Sequence, residues 1–322
     1  MMDTHFNNTI FFLFFRLHDV LFQTGWHLVN ARCFIVNVIT VTMKASFLLL
    51  IISCLSLIAS GQQKRPALPK AKNGFIVISH RGNHLKVPEN TVASVNEAIV
   101  AGADYVEIDL RTTRDGYLVI NHDASVDRMT NGKGNVKDLT LEEIKSLKIT
   151  NSNKSDTNIY RIPEFREILK ACGNNINIYL DFKEADAGET YRQIKEAGLE
   201  KQIVVYLNKE AQYPQWRKVA PDLPLMSSLP DSIIRKEQLH IFLNQIPLAI
   251  VDNLYDSSMI AEARKSGVAV WLDVEGPAET PGVWNEAMDK GIQGMQTDHP
   301  AELVNYLIIN GWRNGRSRSR AL

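Results

Sequence analysis

From residue 75 to residue 309, short apolar runs alternate with longer amphipathic stretches. That alternation limits the fold more than any other feature, because it is the pattern of a sheet whose parallel strands are joined by helices. The runs fall at 75–79, 105–110, 118–121, 176–182, 203–206, 224–227, 248–251, 268–273 and 294–297. Most are almost wholly apolar, as strands covered on both faces should be. Helical stretches separate them, beginning with 92–101, which Gly102 closes, and ending with 301–309. The second and third runs are an exception. Only RTTRDGY (111–117) lies between them, whereas a parallel crossover needs a dozen residues or more. These two runs therefore form a hairpin or return irregularly.

Several runs end in ionisable residues. His80 and Arg81 follow the first run, His122 and Asp123 end the third, and Asp181 and Lys183 flank Phe182 at the end of the fourth. Glu107 and Asp109 lie two apart on the second run, so both point to one face, and Asp181 and Lys183 share a face for the same reason. In a (β/α)8 barrel, groups at the C-terminal ends of strands meet at one mouth. The expected fold is such a TIM-type barrel. Nine runs are one too many, and 224–227 or 248–251 is the expected surplus. An open doubly wound sheet is the competing architecture, but no Gly-rich phosphate loop follows the first run.

These residue types suit phosphodiester hydrolysis. Histidine is the side chain that titrates near neutrality, so His80 and His122 can serve as acid and base. Glu107, Asp109 and Asp181 offer hard oxygen ligands for one divalent cation, Ca2+ or Mg2+. Arg81 can fork onto a phosphate, and Lys183 adds a point charge. Taken singly, each residue has a plainer reading. Asp181 and Lys183 can be an ion pair, His84, His240 and His299 read as structural, and Asp298 reads as a helix cap before Pro300. Trp271 and Asp273 line the mouth or pack beneath it.

Lys+Arg and Asp+Glu number 36 each, and this balance argues against a nucleic-acid partner. The three cysteines, Cys33, Cys54 and Cys172, permit neither a disulfide framework nor a CxxC zinc pattern. Met43 and Lys44 precede an apolar run, 47–58 (FLLLIISCLSLI), and then Ala59-Ser60-Gly61. This is the pattern of a secretory signal peptide. It places cleavage before Gln62, makes 62–73 a linker and implies export to a periplasm or the outside. On this reading translation starts at Met43 and 1–42 is an upstream extension. A membrane span over 33–58 and a lipid anchor at Cys54 are the alternatives. Residues 62–322 number 261, near the ~250 typical of a TIM barrel. The basic end, 310–322, reads as a solvated tail.

In order along the chain stand HRG (80–82), PENT (88–91), EID (107–109), TRDG (113–116), HD (122–123), IPEFREIL (162–169), LDFK (180–183), Trp271 and TDHP (297–300). Together they resemble the glycerophosphodiester phosphodiesterase family, over residues 75–307. The resemblance implies a TIM-type barrel lacking the helix between strands 2 and 3, with an insertion at 124–161 over the mouth. It implies hydrolysis of glycerophosphodiesters to sn-glycerol 3-phosphate and an alcohol. His80 and His122 would be catalytic, Arg81 and Lys183 would bind phosphate, and Glu107, Asp109 and Asp181 would hold the metal. Glu89, Asn90 and Trp271, which lie in these motifs, are candidate substrate-pocket positions. Position 181 departs from the family, which usually has Glu there. A lipid phosphodiesterase of the lysophospholipase D type is the alternative on the same barrel, and an inactive phosphodiester-binding module is a rival of another class.

Overall fold

The computed structural model describes residues 65–71, 73–150 and 158–314. The upstream extension, the signal-peptide pattern and its cleavage point lie outside the described residues.

The barrel wall consists of β1 (Ile76–Ser79), β2 (Tyr105–Thr112), β4 (Asn177–Glu184), β5 (Ile203–Leu207), β6 (Leu225–Ser228), β7 (Ile250–Asp252), β8 (Ala269–Asp273) and β9 (Gly294–Thr297). All eight run parallel in that order, and β1 pairs with both β2 and β9, which closes the ring. The surplus strand is β3 (Leu118–Ile120), which runs antiparallel to β2, with Ile120 beside Leu110 and Leu118 beside Thr112, and is bridged at Val119 to Glu164 on its other side. Both runs expected to be surplus, 224–227 and 248–251, supply barrel strands. Their shortness misled the count, because a closed ring needs only a few hydrogen-bonded residues per strand.

No helix separates β2 from β3, because the two form a hairpin around Gly116, whose φ of +87° suits glycine. The return to the barrel passes through the insertion and two helices, α2 (Leu141–Ser146) and α3 (Phe165–Cys172). The other barrel helices are α1 (Val92–Ala101), α4 (Ala187–Glu196), α5 (Gln212–Val219), α6 (Lys236–Gln245), α7 (Ser257–Lys265), α8 (Pro281–Asp289) and α9 (Pro300–Ile309). Thr91 caps α1 through its side chain and Gly102 ends it in the left-handed conformation. One set of alternate strand residues faces the helices in one large core, and Cys172 is buried there as a free thiol.

Alternate residues of the same strands face inward and fill the barrel in layers. The lower layer is apolar and aromatic: Ile76, Ile78, Tyr105, Tyr179, Val204, Met226, Ile250 and Trp271. Trp271 lies against Gly294, where any Cβ would stand 2.9 Å from its ring. Segment 65–71, expected as a linker, closes this end. Leu68 and Ala71 pack on the layer, and Arg65 donates to the carbonyls of Ser266, Leu248 and Leu243 at 3.0, 2.8 and 3.2 Å. The expected tail also enters the fold at its start. Arg313 is buried, pairs with Asp104 and donates to Phe75 O at 2.9 Å.

Candidate active site

Stepping two residues along each strand from the apolar layer reaches the functional groups, since alternate side chains share a face. Ile78 leads to His80, Tyr105 to Glu107 and Asp109, Tyr179 to Asp181, and Trp271 to Asp273 and Glu275. These residues, with Arg81, His122, Lys183, Asn208, Asp252 and Gln296, line a cleft of about 220 Å³ at the C-terminal mouth.

The register of β2 on β4 places Asp109 beside Asp181. Carboxylate oxygens of Glu107, Asp109 and Asp181 lie within 4.8 Å of one another. The register then slips, so that Lys183 has no partner on β2, and its ammonium contacts Asp181 Oδ2 and stands 3.2 Å from Asp109 Oδ1. Burial works against the charge of Lys183, but Asp109 and Asp181 outweigh it and hold its pKa up. Burial and then Asp109 and Asp181 push Glu107 well above the usual carboxylate range, and burial and Asp109 raise Asp181. Lys183, with Arg81 Nε 3.8 Å from Asp109 Oδ2 but engaged also by Glu89, leaves negative charge uncompensated among hard oxygen donors. The three residues therefore fit a divalent cation, and Ca2+ and Mg2+ suit such a donor set equally well. Asp181 is further held by Asn208 Nδ2 at 2.6 Å.

The two histidines are held alike. His80 Nδ1 lies 2.8 Å from Asp298 Oδ1, and His122 Nδ1 lies 2.8 Å from Asp123 Oδ1. His122 reaches the mouth because the β2–β3 hairpin rises above the barrel and turns back. Asn121 N donates to Asp109 O at 3.0 Å, and Arg111 grips His122 O at 2.6 Å. Arg128 joins the two sides, donating to Asp123 Oδ2 at 2.7 Å and to Glu89 Oε1 at 2.7 Å. Its hydrogen bond leads the effects that bring Asp123 down to about 2. Arg81 pairs with Glu89 at 3.1 Å, and its backbone, at φ +51°, is pinned by N–H donation to Glu107 Oε2 at 2.8 Å. Such a φ is unusual outside glycine and is held here by the surrounding bonds. Gly82 beside it tolerates no side chain, since a Cβ would meet Ser94 at 2.3 Å.

The cleft thus gathers His80, His122, Arg81, Lys183, Glu107, Asp109 and Asp181. The three other candidate pocket residues take different places. Trp271 is fully buried one layer below. Asn90 orients Asp109, donating to its Oδ2 at 2.8 Å and accepting from its N–H at 3.2 Å. Glu89 bridges two arginines above the cleft. Asp298, read as a cap, pairs with His80 instead, and His299 takes the capping position of α9. Arg128, Asn208, Asp252, Glu275 and Gln296 were not singled out from the sequence. Strand parity could have marked Asp252, because it follows the apolar run 248–251.

Residues 80–302 match the model of the glycerophosphoryl diester phosphodiesterase family. The glycerophosphodiester phosphodiesterase of Caldanaerobacter subterraneus subsp. tengcongensis is 30% identical over 249 residues, covering 73% of this chain and 99% of the relative. The chain belongs to this family. It is accordingly an enzyme of the phosphodiester-hydrolysing kind. Human glycerophosphodiester phosphodiesterase 1 is 38% identical over 117 residues, 35% of each chain. Among solved structures, the fold is shared with a glycerophosphodiester phosphodiesterase of Agrobacterium tumefaciens (TM-score 0.64, 23% identity, 72% of this chain and 98% of that one). It is also shared with a phosphodiesterase of Oleispira antarctica in complex with the product sn-glycerol-3-phosphate (TM-score 0.63, 20% identity, 73% and 97%).

Proposed function

We propose that the protein hydrolyses glycerophosphodiesters to sn-glycerol 3-phosphate and an alcohol, with His80 and His122 as the acid–base pair and a divalent cation at Glu107, Asp109 and Asp181. The observation that carries this reading is the placement of two imidazoles in one cleft with the carboxylate cluster, each engaged at Nδ1 by an aspartate. That engagement directs each Nε2 as the working nitrogen. The product bound to the Oleispira phosphodiesterase supports the substrate class.

One histidine takes the proton of the glycerol hydroxyl next to the phosphodiester, and that oxygen attacks phosphorus in line. The other protonates the departing alcohol. The resulting cyclic phosphate is opened by water with the two histidines exchanging roles. Arg81 and Lys183 hold phosphate oxygens and balance the charge that builds on them. A bound Ca2+ or Mg2+ supplies Lewis acidity and further positive charge at this place. The signal-peptide pattern at 43–61 supports export of the enzyme, which N-terminal sequencing of the mature chain checks.

The test is a product assay on glycerophosphodiesters. His80→Ala and His122→Ala should each lower kcat by about 10²–10⁴-fold, the usual contribution of a positioned acid or base. Full activity in either variant removes that residue from the mechanism.

A further inference from the structure

The cleft has a second acidic wall that the chemistry above does not use. In the ring of eight strands, β7 and β8 stand opposite β2 and β4. Asp252 ends β7, Asp273 ends β8 with Glu275 two residues on, and Gln296 stands beside them on β9. All four face the cleft. Asp252 is 2% exposed and Gln296 6% exposed. Yet Asp252 Oδ1, Gln296 Oε1 and Glu275 Oε2 are buried without a hydrogen-bond partner. A buried acceptor left unpaired is costly, and three on one wall call for a ligand that brings donors.

We propose that this wall binds the alcohol end of the substrate and selects a headgroup carrying a primary ammonium. This rests on the reading of the cleft as a glycerophosphodiester site, with the phosphate on the β2–β4 side. Three features favour an ammonium over other occupants. The wall itself is made of carboxylates and an amide oxygen, and the cations that face it, Lys183 and His80, stand on the phosphate side of the cleft. A primary ammonium brings three N–H donors to three open acceptors, whereas a trimethylammonium brings none and would leave all three acceptors unpaired even against the rings of Tyr179 and Tyr206 in the same cleft. A metal ion is disfavoured, because Glu107, Asp109 and Asp181 form the one trio among the described residues whose ligand atoms converge within 4.8 Å. Burial and the mutual repulsion of Glu275, Asp252 and Asp181 raise Asp273, and a positive headgroup relieves that repulsion.

The experiment compares kcat/KM of the metal-loaded enzyme for glycerophosphoethanolamine, glycerophosphocholine and glycerophosphoglycerol. The ethanolamine ester is expected to lead both others by at least about tenfold. In Asp252→Asn and Glu275→Gln, each checked for folding by circular dichroism, that lead should shrink by about tenfold. Equal kcat/KM for the three esters, or a lead for choline or glycerol, overturns the subsite and leaves the enzymatic reading standing. A lead that survives in both folded variants also overturns it. If no ester is turned over, both readings fall together. The wild-type comparison decides the matter even if a variant does not fold.

Discussion

His80 Nδ1 and Asp298 Oδ1 stand 2.8 Å apart although 218 positions separate them in the chain. Closure of the barrel makes this contact, because β1 and β9 are neighbours and Ser79 lies beside Thr297. Burial is the largest influence on Asp298 and opposes its charge, but the hydrogen bond from His80 and the charges of His80 and His84 together outweigh it and hold the carboxyl below its ordinary value. Asp298 is therefore a positioning residue for the His80 ring.

Asp298→Asn should lower kcat on the order of 10²–10⁴-fold while the melting temperature stays close to wild type, because an amide can present its NH2 to Nδ1 and impose the wrong tautomer. The pH–rate profile should lose or displace one limb. If Asp298 served only to cap a helix, stability would fall and the profile would keep its shape.

Divalent cations should stabilise the fold independently of turnover. Burial and charge repulsion raise Glu107 and Asp181, and an ion between them removes that repulsion. With free ion at a hundred times its Kd, the gain is about 2.7 kcal/mol. Calorimetry with Ca2+ or Mg2+ against a chelator reads this as a rise in Tm, and Glu107→Gln should abolish most of the rise. Chelated enzyme should also lose activity.

Stability should fall as pH rises through the range in which Asp273 holds an extra proton. Burial, followed by the nearby Glu275, Asp252 and Asp181, raises it to about 8 against opposition from Lys183. The unfolded value is about 3.9. Between these values the folded state binds more protons than the unfolded state, so unfolding becomes easier as pH increases. Denaturant titrations of Asp273→Asn from pH 5 to pH 8 should show a flatter profile than wild type. An equally steep profile would place the pH dependence elsewhere.

Arg313→Ala should destabilise the barrel by about 3–5 kcal/mol, because it leaves Asp104 as an uncompensated charge with 2% side-chain exposure. Asp104 also accepts from Val77 N at 3.0 Å, so the pair ties the start of β1 to the end of the chain. Urea unfolding measures the loss, and a change within about 0.5 kcal/mol would mean that the Arg313–Asp104 pair contributes nothing to the fold.

Much of the site was readable along the chain because each local piece obeys a two-residue period. Glu107 and Asp109 had to share a face, and His80 had to follow the inward face of the first strand. The weak reading came where local rules give two answers. Asp298 before Pro300 satisfies the pattern of a helix cap, and the same carboxylate satisfies a histidine that only barrel closure brings near. Arg128 sits in a polar insertion with no period at all, so nothing local marks it as the bridge between Asp123 and Glu89.

The sequence by itself determined the α/β class, the inward parity of the strand-end residues and the chemical types available for catalysis. The tertiary structure decided which of these groups touch. The pairing of Asp109 with Asp181, the turning back of the β2–β3 hairpin that delivers His122, and the acidic wall facing β2 and β4 all depend on strand register and ring order. Those are set by contacts between residues distant in sequence, where periodicity carries no information.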